Sequence, residues 1–207
     1  MTIIWDWNGT LLDDVHIAVA TDNETFAQFG LPAITLETYQ QLFRHPVADF
    51  YTDLGVPQKL FPRLAETWMP IYERLSMGCP LRKNAVETIQ RFREAGFHQA
   101  VVSASPVTVL RRQVARYPEL GGLFDAIEGL GDAYGASKVA LAKGYLNRNG
   151  IADAVFIGDT THDAEVATAA GCRCMLVQGG HQADSVLTAK GLKSYAGLKE
   201  IADAVIG

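Results

Sequence analysis

The stretch Ile3-Ile4-Trp5-Asp6-Trp7-Asn8-Gly9-Thr10-Leu11-Leu12 (IIWDWNGTLL, residues 3–12) admits two folds. Asn-Gly between apolar flanks is the strongest short-range signal for a β-hairpin, which would open an antiparallel sheet. An apolar strand ending in a carboxylate is also how an open α/β sheet delivers an acidic group to the crevice at its strand ends. The rest of the chain decides between them.

A second apolar run ends the same way. In VFIGDTTHDAEVATAAG (residues 155–171) a strand closes on Gly158-Asp159 and a further carboxylate, Asp163, follows four residues later. Short apolar runs predict strands at Ile3 to Trp7, Ala100 to Ser103, Ala154 to Ile157 and Cys174 to Val177. Runs without alternation suit strands buried on both faces. Helical patterns fall between them, at Asn84 to Ala95, Pro106 to Arg116, Ser137 to Asn149, His162 to Ala170 and Leu198 to Val205. The first of these opens on Asn84-x-x-Glu87, which reads as a capping box, and stops at Gly96. Strand and helix alternate, so the fold class is α/β, a Rossmann-like parallel sheet with helices on both faces.

Residues 14–78 break that rhythm. Apolar side chains recur there at helical spacing (Val15, Val19, Phe26, Phe29; Leu36, Tyr39, Leu42, Phe43; Leu60, Leu64, Trp68, Ile71), and turn signals fall at Gly30-Leu31-Pro32 and Gly55-Val56-Pro57. The pattern predicts a helical insertion after the first strand, dividing the chain into a core of residues 1–13 and 79–207 and an inserted unit of residues 14–78.

Composition narrows the class of function. The 207 residues are 48% hydrophobic and carry a net charge of -5 without a run of Lys or Arg, which argues against nucleic-acid and membrane-surface partners. Cys79, Cys172 and Cys174 lack the spacing of a zinc site or a disulfide framework. The first residues show neither a basic region nor a long apolar stretch, and the expected location is cytoplasmic.

Asp6 and Asp159, each at a strand end, would face one crevice and make a hard-oxygen site suited to Mg²⁺. The competing reading is that Asp159 and Asp163 only cap the helix that follows. Ser103 ends another strand and Lys138 opens a later helix; alone they read as a turn residue and a solvated charge. In chain order, however, the four features form one arrangement: a strand-end aspartate, a strand-end hydroxyl, a helix-start lysine and a paired-aspartate loop.

That arrangement resembles the haloacid dehalogenase-like superfamily, and within it the phosphatases of the phosphoglycolate phosphatase type. Asp6 to Thr10 is similar to the first motif, Ser103 to the second, Lys138 to the third and Gly158 to Asp163 to the fourth; residues 14–78 look like the helical cap. The resemblance implies a phosphatase acting on a small organic phosphomonoester. Asp6 would attack phosphorus and form an aspartyl-phosphate. Asp6, Asn8 through its main-chain carbonyl, Asp159 and Asp163 would hold Mg²⁺. Ser103 and Lys138 would hold the phosphoryl oxygens, with Gly9, Thr10 and Ala104 completing the phosphate loop. Arg44, at a predicted turn between cap helices, would read the rest of the substrate.

One position departs from the pattern. Asn8 stands where these phosphatases carry a second aspartate, and an amide has no titratable proton for the leaving group. General acid-base help is typically worth about 10²- to 10⁴-fold. His16, His162 and His181 are the histidines that could stand in, and Asp13 is the nearest other carboxylate. The superfamily's phosphonate hydrolases also lack the second aspartate, but they need a cap lysine, and the first lysine here is Lys59. A protein that binds phosphorylated metabolites with weak turnover is the remaining alternative.

Overall fold

The computed structural model describes residues 1–131 and 137–207. The elements, in order, are β1 (Thr2–Trp5), α1 (Val15–Gln28), α2 (Leu36–Leu42), α3 (Val47–Asp53), α4 (Phe61–Leu75), α5 (Ala85–Glu94), β2 (His98–Pro106), α6 (Val107–Val114), β3 (Ala126–Leu130), α7 (Lys138–Arg148), β4 (Ala154–Gly158), α8 (Thr161–Ala170), β5 (Arg173–Val177), α9 (Asp184–Ala189), β6 (Ser194–Tyr195) and α10 (Leu198–Ile206). The strands form one parallel sheet in the order β3-β2-β1-β4-β5-β6. From β1 the chain builds outward on one side, then crosses to the other, so the strand order reverses at β1. The ligand crevice of such a sheet lies at that reversal, beyond the carboxyl ends of the strands.

The hairpin reading of residues 3–12 is therefore excluded. Asp6 N continues the parallel ladder to Ile157 O at 2.8 Å, and Leu11 N and Leu12 N both donate to Trp7 O in a closed loop. Gly9 turns that loop with φ of +69°, a left-handed conformation that glycine adopts without a Cβ clash.

Each strand of the sheet's centre is apolar on both faces because helices cover both. Ile3, Trp5, Val101 and Ile157 pack against Ile89 and Phe92 of α5, Leu110 of α6 and Ile201 of α10. Ile4, Ala100, Val102 and Phe156 pack on the other side against Tyr145 and Leu146 of α7 and Val166 of α8. Alternate residues thus point to different layers of core, which is why the runs showed no polar alternation. The one polar edge of Trp5 is satisfied: its indole N–H donates to Gln99 Oε1 at 3.0 Å.

The helices α1 to α4 lie between β1 and β2 and bury an apolar cluster of their own around Phe26, Tyr39, Phe50 and Leu64. The middle helical run of the sequence is α2; a further short helix, α3, that the pattern did not mark follows the predicted turn at Arg44-His45-Pro46. Among the described residues no helix is long and apolar enough to cross a membrane.

One sequence expectation changes, and several elements are new. Asn84 does not form a capping box: it adopts a left-handed backbone (φ 64°), and its amide donates to Glu87 Oε2 at 3.3 Å instead of accepting a main-chain N–H. The capping box is at α8, where Thr160 and Asp163 cap each other reciprocally. Strands β3 and β6 and helix α9 have no counterpart in the sequence reading. β3 carries Glu128 and Gly129, and a Cβ at Gly129 would lie 2.7 Å from Ser105 O, so packing excludes the apolar side chain that marks a strand.

Candidate active site

The floor of the crevice is a lysine between carboxylates. Lys138, first residue of α7, donates to Asp6 Oδ1 and to Asp163 Oδ1, both at 2.6 Å, and all three side chains are buried. Asp163 Oδ2 accepts from Asp159 N (3.1 Å), Thr160 N (3.0 Å) and Thr160 Oγ1 (2.7 Å). Burial opposes the Asp163 charge, but Lys138 and these donors outweigh it and hold the acid down at about 2. Burial pushes Asp6 up to about 7 against the pull of Lys138, and it raises Asp159 as well. For Lys138 burial works against the ammonium, yet Asp163 and Asp6 more than compensate and raise it. Asp159 accepts from Thr10 Oγ1 at 2.7 Å and from His181 N at 2.6 Å.

Oxygens of Asp6, Asp159 and Asp163 lie within 4.8 Å of one another. A Cβ at Gly180 would fall 2.3 Å from Asp159 Oδ2, and one at Gly9 2.4 Å from it, so two glycines leave Asp159 its room. Lys138 bonds two of these three buried carboxylates and not Asp159, and burial works against the charge on Asp6 and Asp159, a cost that a cation would relieve. Hard oxygen donors so placed fit a small divalent cation.

Asn8 is held on every side. Its Nδ2 donates to Asp14 Oδ2 (2.8 Å) and Tyr72 Oη (2.7 Å), and its Oδ1 accepts from Ser105 Oγ (2.9 Å). Asp14 also accepts from Gly9 N at 2.7 Å and from Tyr72 Oη at 2.6 Å, and it faces His181 Nε2 at 3.4 Å. Burial disfavours the Asp14 charge, but His181 and these donors keep it below its ordinary value. Asp14 in turn lifts His181 to about 9 despite burial. An aspartate at position 8 would lose both donated bonds and set a second carboxylate 2.8 Å from Asp14. Two such acids share a proton, so the folded pair titrates above its unfolded value and its stability is lost as pH rises. Asn8→Asp is therefore expected to lower the melting temperature more at pH 8 than at pH 5, checked by thermal unfolding at both.

Above the floor is a cavity of about 360 Å³. Asp6, Asn8, Ser103, Ala104, Ser105, Lys138 and His181 line its core side, and Tyr39, Phe43, His45, Phe50, Tyr51, Phe61, Trp68 and Tyr72 line its cap side. Helix α2 is pinned to the segment after β5: Tyr39 Oη meets His181 Nδ1 at 2.8 Å, Gln40 Nε2 donates to Gly180 O at 2.7 Å, and Gln182 Nε2 donates to Phe43 O at 2.6 Å.

The structure brings Asp6, Asn8, Ser103, Ala104 and Lys138 to the cavity and Asp159 and Asp163 beside it. Thr10 lies behind, on Asp159, and the Gly9 amide is already taken by Asp14. Arg44 is a correction. It points outward, about half exposed, in a two-pronged pair with Asp53 (2.7 and 3.2 Å), while its neighbours Phe43 and His45 face the cavity. Arg44 and Pro46 are the exposed positions of the α2–α3 turn, and the acids of α3 claim the Arg44 charge. Lys59 is exposed and does not line the cavity. Of the three histidines, His16 is exposed, His162 lies at the rim against His45, and only His181 is in the site. Asp13 is exposed; the buried neighbour is Asp14. Asp14, Tyr72 and Arg82 were not readable in advance. Arg82 fastens the Asp6 loop by donating to Gly9 O at 2.6 Å and to Gln178 O at 2.5 Å.

The family model for haloacid dehalogenase-like hydrolases matches residues 3–177. The chain belongs to that family. A phosphoglycolate phosphatase of Pseudomonas savastanoi pv. phaseolicola is 26% identical over 192 residues, covering 86% of this chain and 70% of that protein. Among solved structures, a haloacid dehalogenase-like hydrolase of Streptococcus pneumoniae superposes with a TM-score of 0.84 at 17% identity, over 98% of this chain and 97% of that one. Protein tyrosine kinase A of Mycobacterium tuberculosis does so with 0.84 at 20% identity, over 100% and 97%. The fold is thus shared by proteins named for opposite reactions, and the likeness of this sequence to curated relatives is to phosphatases.

Proposed function

We propose that this hydrolase is a Mg²⁺-dependent phosphatase that cleaves a small organic phosphomonoester through an aspartyl-phosphate. The observation that carries the reading is Asp6: Lys138 holds its Oδ1, while among the described residues nothing donates to its Oδ2, and the side chain lines the cavity. Oδ2 attacks phosphorus, the phosphorus–oxygen bond to the alcohol breaks, and the departing alkoxide takes its proton from water, since the Asn8 amide has none to give. Water then attacks the same phosphorus, releasing inorganic phosphate and restoring the Asp6 carboxylate. Lys138 and the Ser103 hydroxyl hold phosphoryl oxygens and face the charge that develops on them. Asp6, Asp159, Asp163 and the main-chain carbonyl of Asn8 would hold the cation, which when bound offsets repulsion between the Asp6 carboxylate and a phosphate dianion. Residues 14–78 act as the cap that closes over the alcohol.

A time course with an activated aryl phosphate tests the reading: sustained release of phosphate that stops in excess chelator supports it, and a bound ester that is never cleaved favours a binding protein. Metal binding has its own readout. Mg²⁺ at about 100 times its Kd should stabilise the fold by about 2.7 kcal/mol. Thermal unfolding with and without Mg²⁺ measures this, and Asp159→Asn should remove most of the difference.

A further inference from the structure

The cap side of the cavity offers no cation to a substrate. Its acids are Asp14, the residue before α1, and Asp22, 2% exposed, two turns further along the helix. Tyr51 Oη and Trp68 Nε1 both donate to Asp22 Oδ1 at 2.8 Å, which turns their ring edges toward the acid. Among the described residues nothing donates to Oδ2. Unlike Thr25 Oγ1, which is fully occluded without a partner, Asp22 Oδ2 is not sealed off, and Asp22 lines the cavity. Tyr72 stacks on Trp68 with ring centroids 4.6 Å apart, and Phe61 lies 5.8 Å from Tyr51. Arg44 faces outward, His45 is kept neutral by burial and by His162, and both ring nitrogens of His181 already have partners. A carboxylate on the substrate would meet aromatic rings and a buried acid. An apolar group would leave Asp22 Oδ2 desolvated without a partner.

We propose that the phosphomonoester's alcohol carries a cationic nitrogen, an ammonium or protonated ring nitrogen, that sits beside the rings of Tyr51, Trp68 and Phe61 against Asp22. Aromatic faces and a carboxylate together are how proteins hold organic cations. Burial pushes the empty Asp22 up to about 6, and a bound cation reverses that cost. Asp14 touches the Asn8-Gly9 loop, and eight residues of helix place Asp22 roughly 12 Å further along α1. The nitrogen therefore lies several bonds from phosphorus. The curated relatives are named for phosphoglycolate, whose free end is anionic; the cap side of this cavity offers such an end no cation.

The inference rests on the phosphatase reading for the orientation of the ester, so its test is an equilibrium one. Calorimetry with the wild-type protein and Mg²⁺ would use uncleavable phosphonates in place of the esters, comparing ω-trimethylammonioalkyl phosphonates of increasing length with their tert-butyl carbon isosteres and with a carboxylate-ended phosphonate in place of phosphoglycolate. At the best length the ammonium phosphonate should bind at least about tenfold more tightly than its isostere, and more tightly than the carboxylate-ended one. Asp22→Asn keeps an acceptor for Tyr51 and Trp68; it should shrink that ratio below about threefold and leave the isostere unchanged. The ammonium-against-isostere comparison needs no change in the cap, so it stands even if Asp22→Asn fails to fold. Equal or tighter binding of the isostere at every length, preference for the carboxylate-ended phosphonate, or no binding of any phosphonate overturns the proposal. An aryl phosphate that the wild-type protein never cleaves, alongside an intact ammonium preference, would sink the phosphatase reading alone.

Discussion

Asp6→Asn is expected to abolish turnover while leaving the fold as stable as before, or more so. The amide cannot form the acyl phosphate, and loss of a hydrolase nucleophile costs on the order of 10⁶-fold in rate. Acid-quenched single-turnover mixtures with labelled ester should show label on the wild-type protein and none on the variant. Stability moves the other way for a stated reason. Burial lifts the folded Asp6 from an ordinary 3.8 to about 7. A carboxyl raised on folding contributes stability at low pH that is lost as pH rises from about 4 to about 7. The amide has no charge to bury, so the metal-free variant should unfold at a temperature equal to or above wild type at pH 8. A variant that turns over at the wild-type rate moves the nucleophile elsewhere; one that merely unfolds fails the stability half.

Lys138→Met should do the reverse. It strips the one ammonium from between Asp6 and Asp163, both bonded to it at 2.6 Å, and leaves buried carboxylates facing each other. Removing one partner of a buried ion pair typically costs about 3–5 kcal/mol. The loss should be largest above neutral pH and shrink as the acids protonate, the opposite of a simple packing defect. Urea unfolding at pH 5 and pH 8 measures the difference. Equal losses at the two values would mean that Lys138 matters for its packing, including its place over the Phe156 ring, and not for its charge.

The parallel sheet was legible because its evidence is local. Apolar runs that close on Asp6, Ser103 and Asp159 announce strands and the crevice at once, since a strand end fixes where its next residue points. Lys138 and Asp163 followed from the same order. The partners of those residues were not legible, because they come from far along the chain: Tyr72 reaches Asn8 across 64 residues and Arg82 reaches Gly9 across 73. Asp13 and Asp14 differ by one position and no sequence pattern separates them, yet one is exposed and the other is the hub of the Asn8 network. Asp22 was invisible for a related reason. On a helix whose stripe was read from Val15, Val19, Phe26 and Phe29, a carboxylate registers as solvent-facing unless a cavity is known to lie beside it. Arg44 shows the converse, since a residue flanked by two that face the cavity still turns outward.

The segment after β5 has a bearing on how this enzyme can be re-engineered. Gly180, His181 and Gln182 hold α2 through three hydrogen bonds, and His181 N holds Asp159 at 2.6 Å. If the helical insertion selects the alcohol, as proposed, the selecting unit is not contiguous in the gene, because residues 180–182 are bonded to α2 and to the Phe43 carbonyl that follows it. A chimera that grafts only a foreign helical insertion would lose its anchor on Gly180 and Gln182, whereas grafting both pieces would carry the latch along with the new specificity.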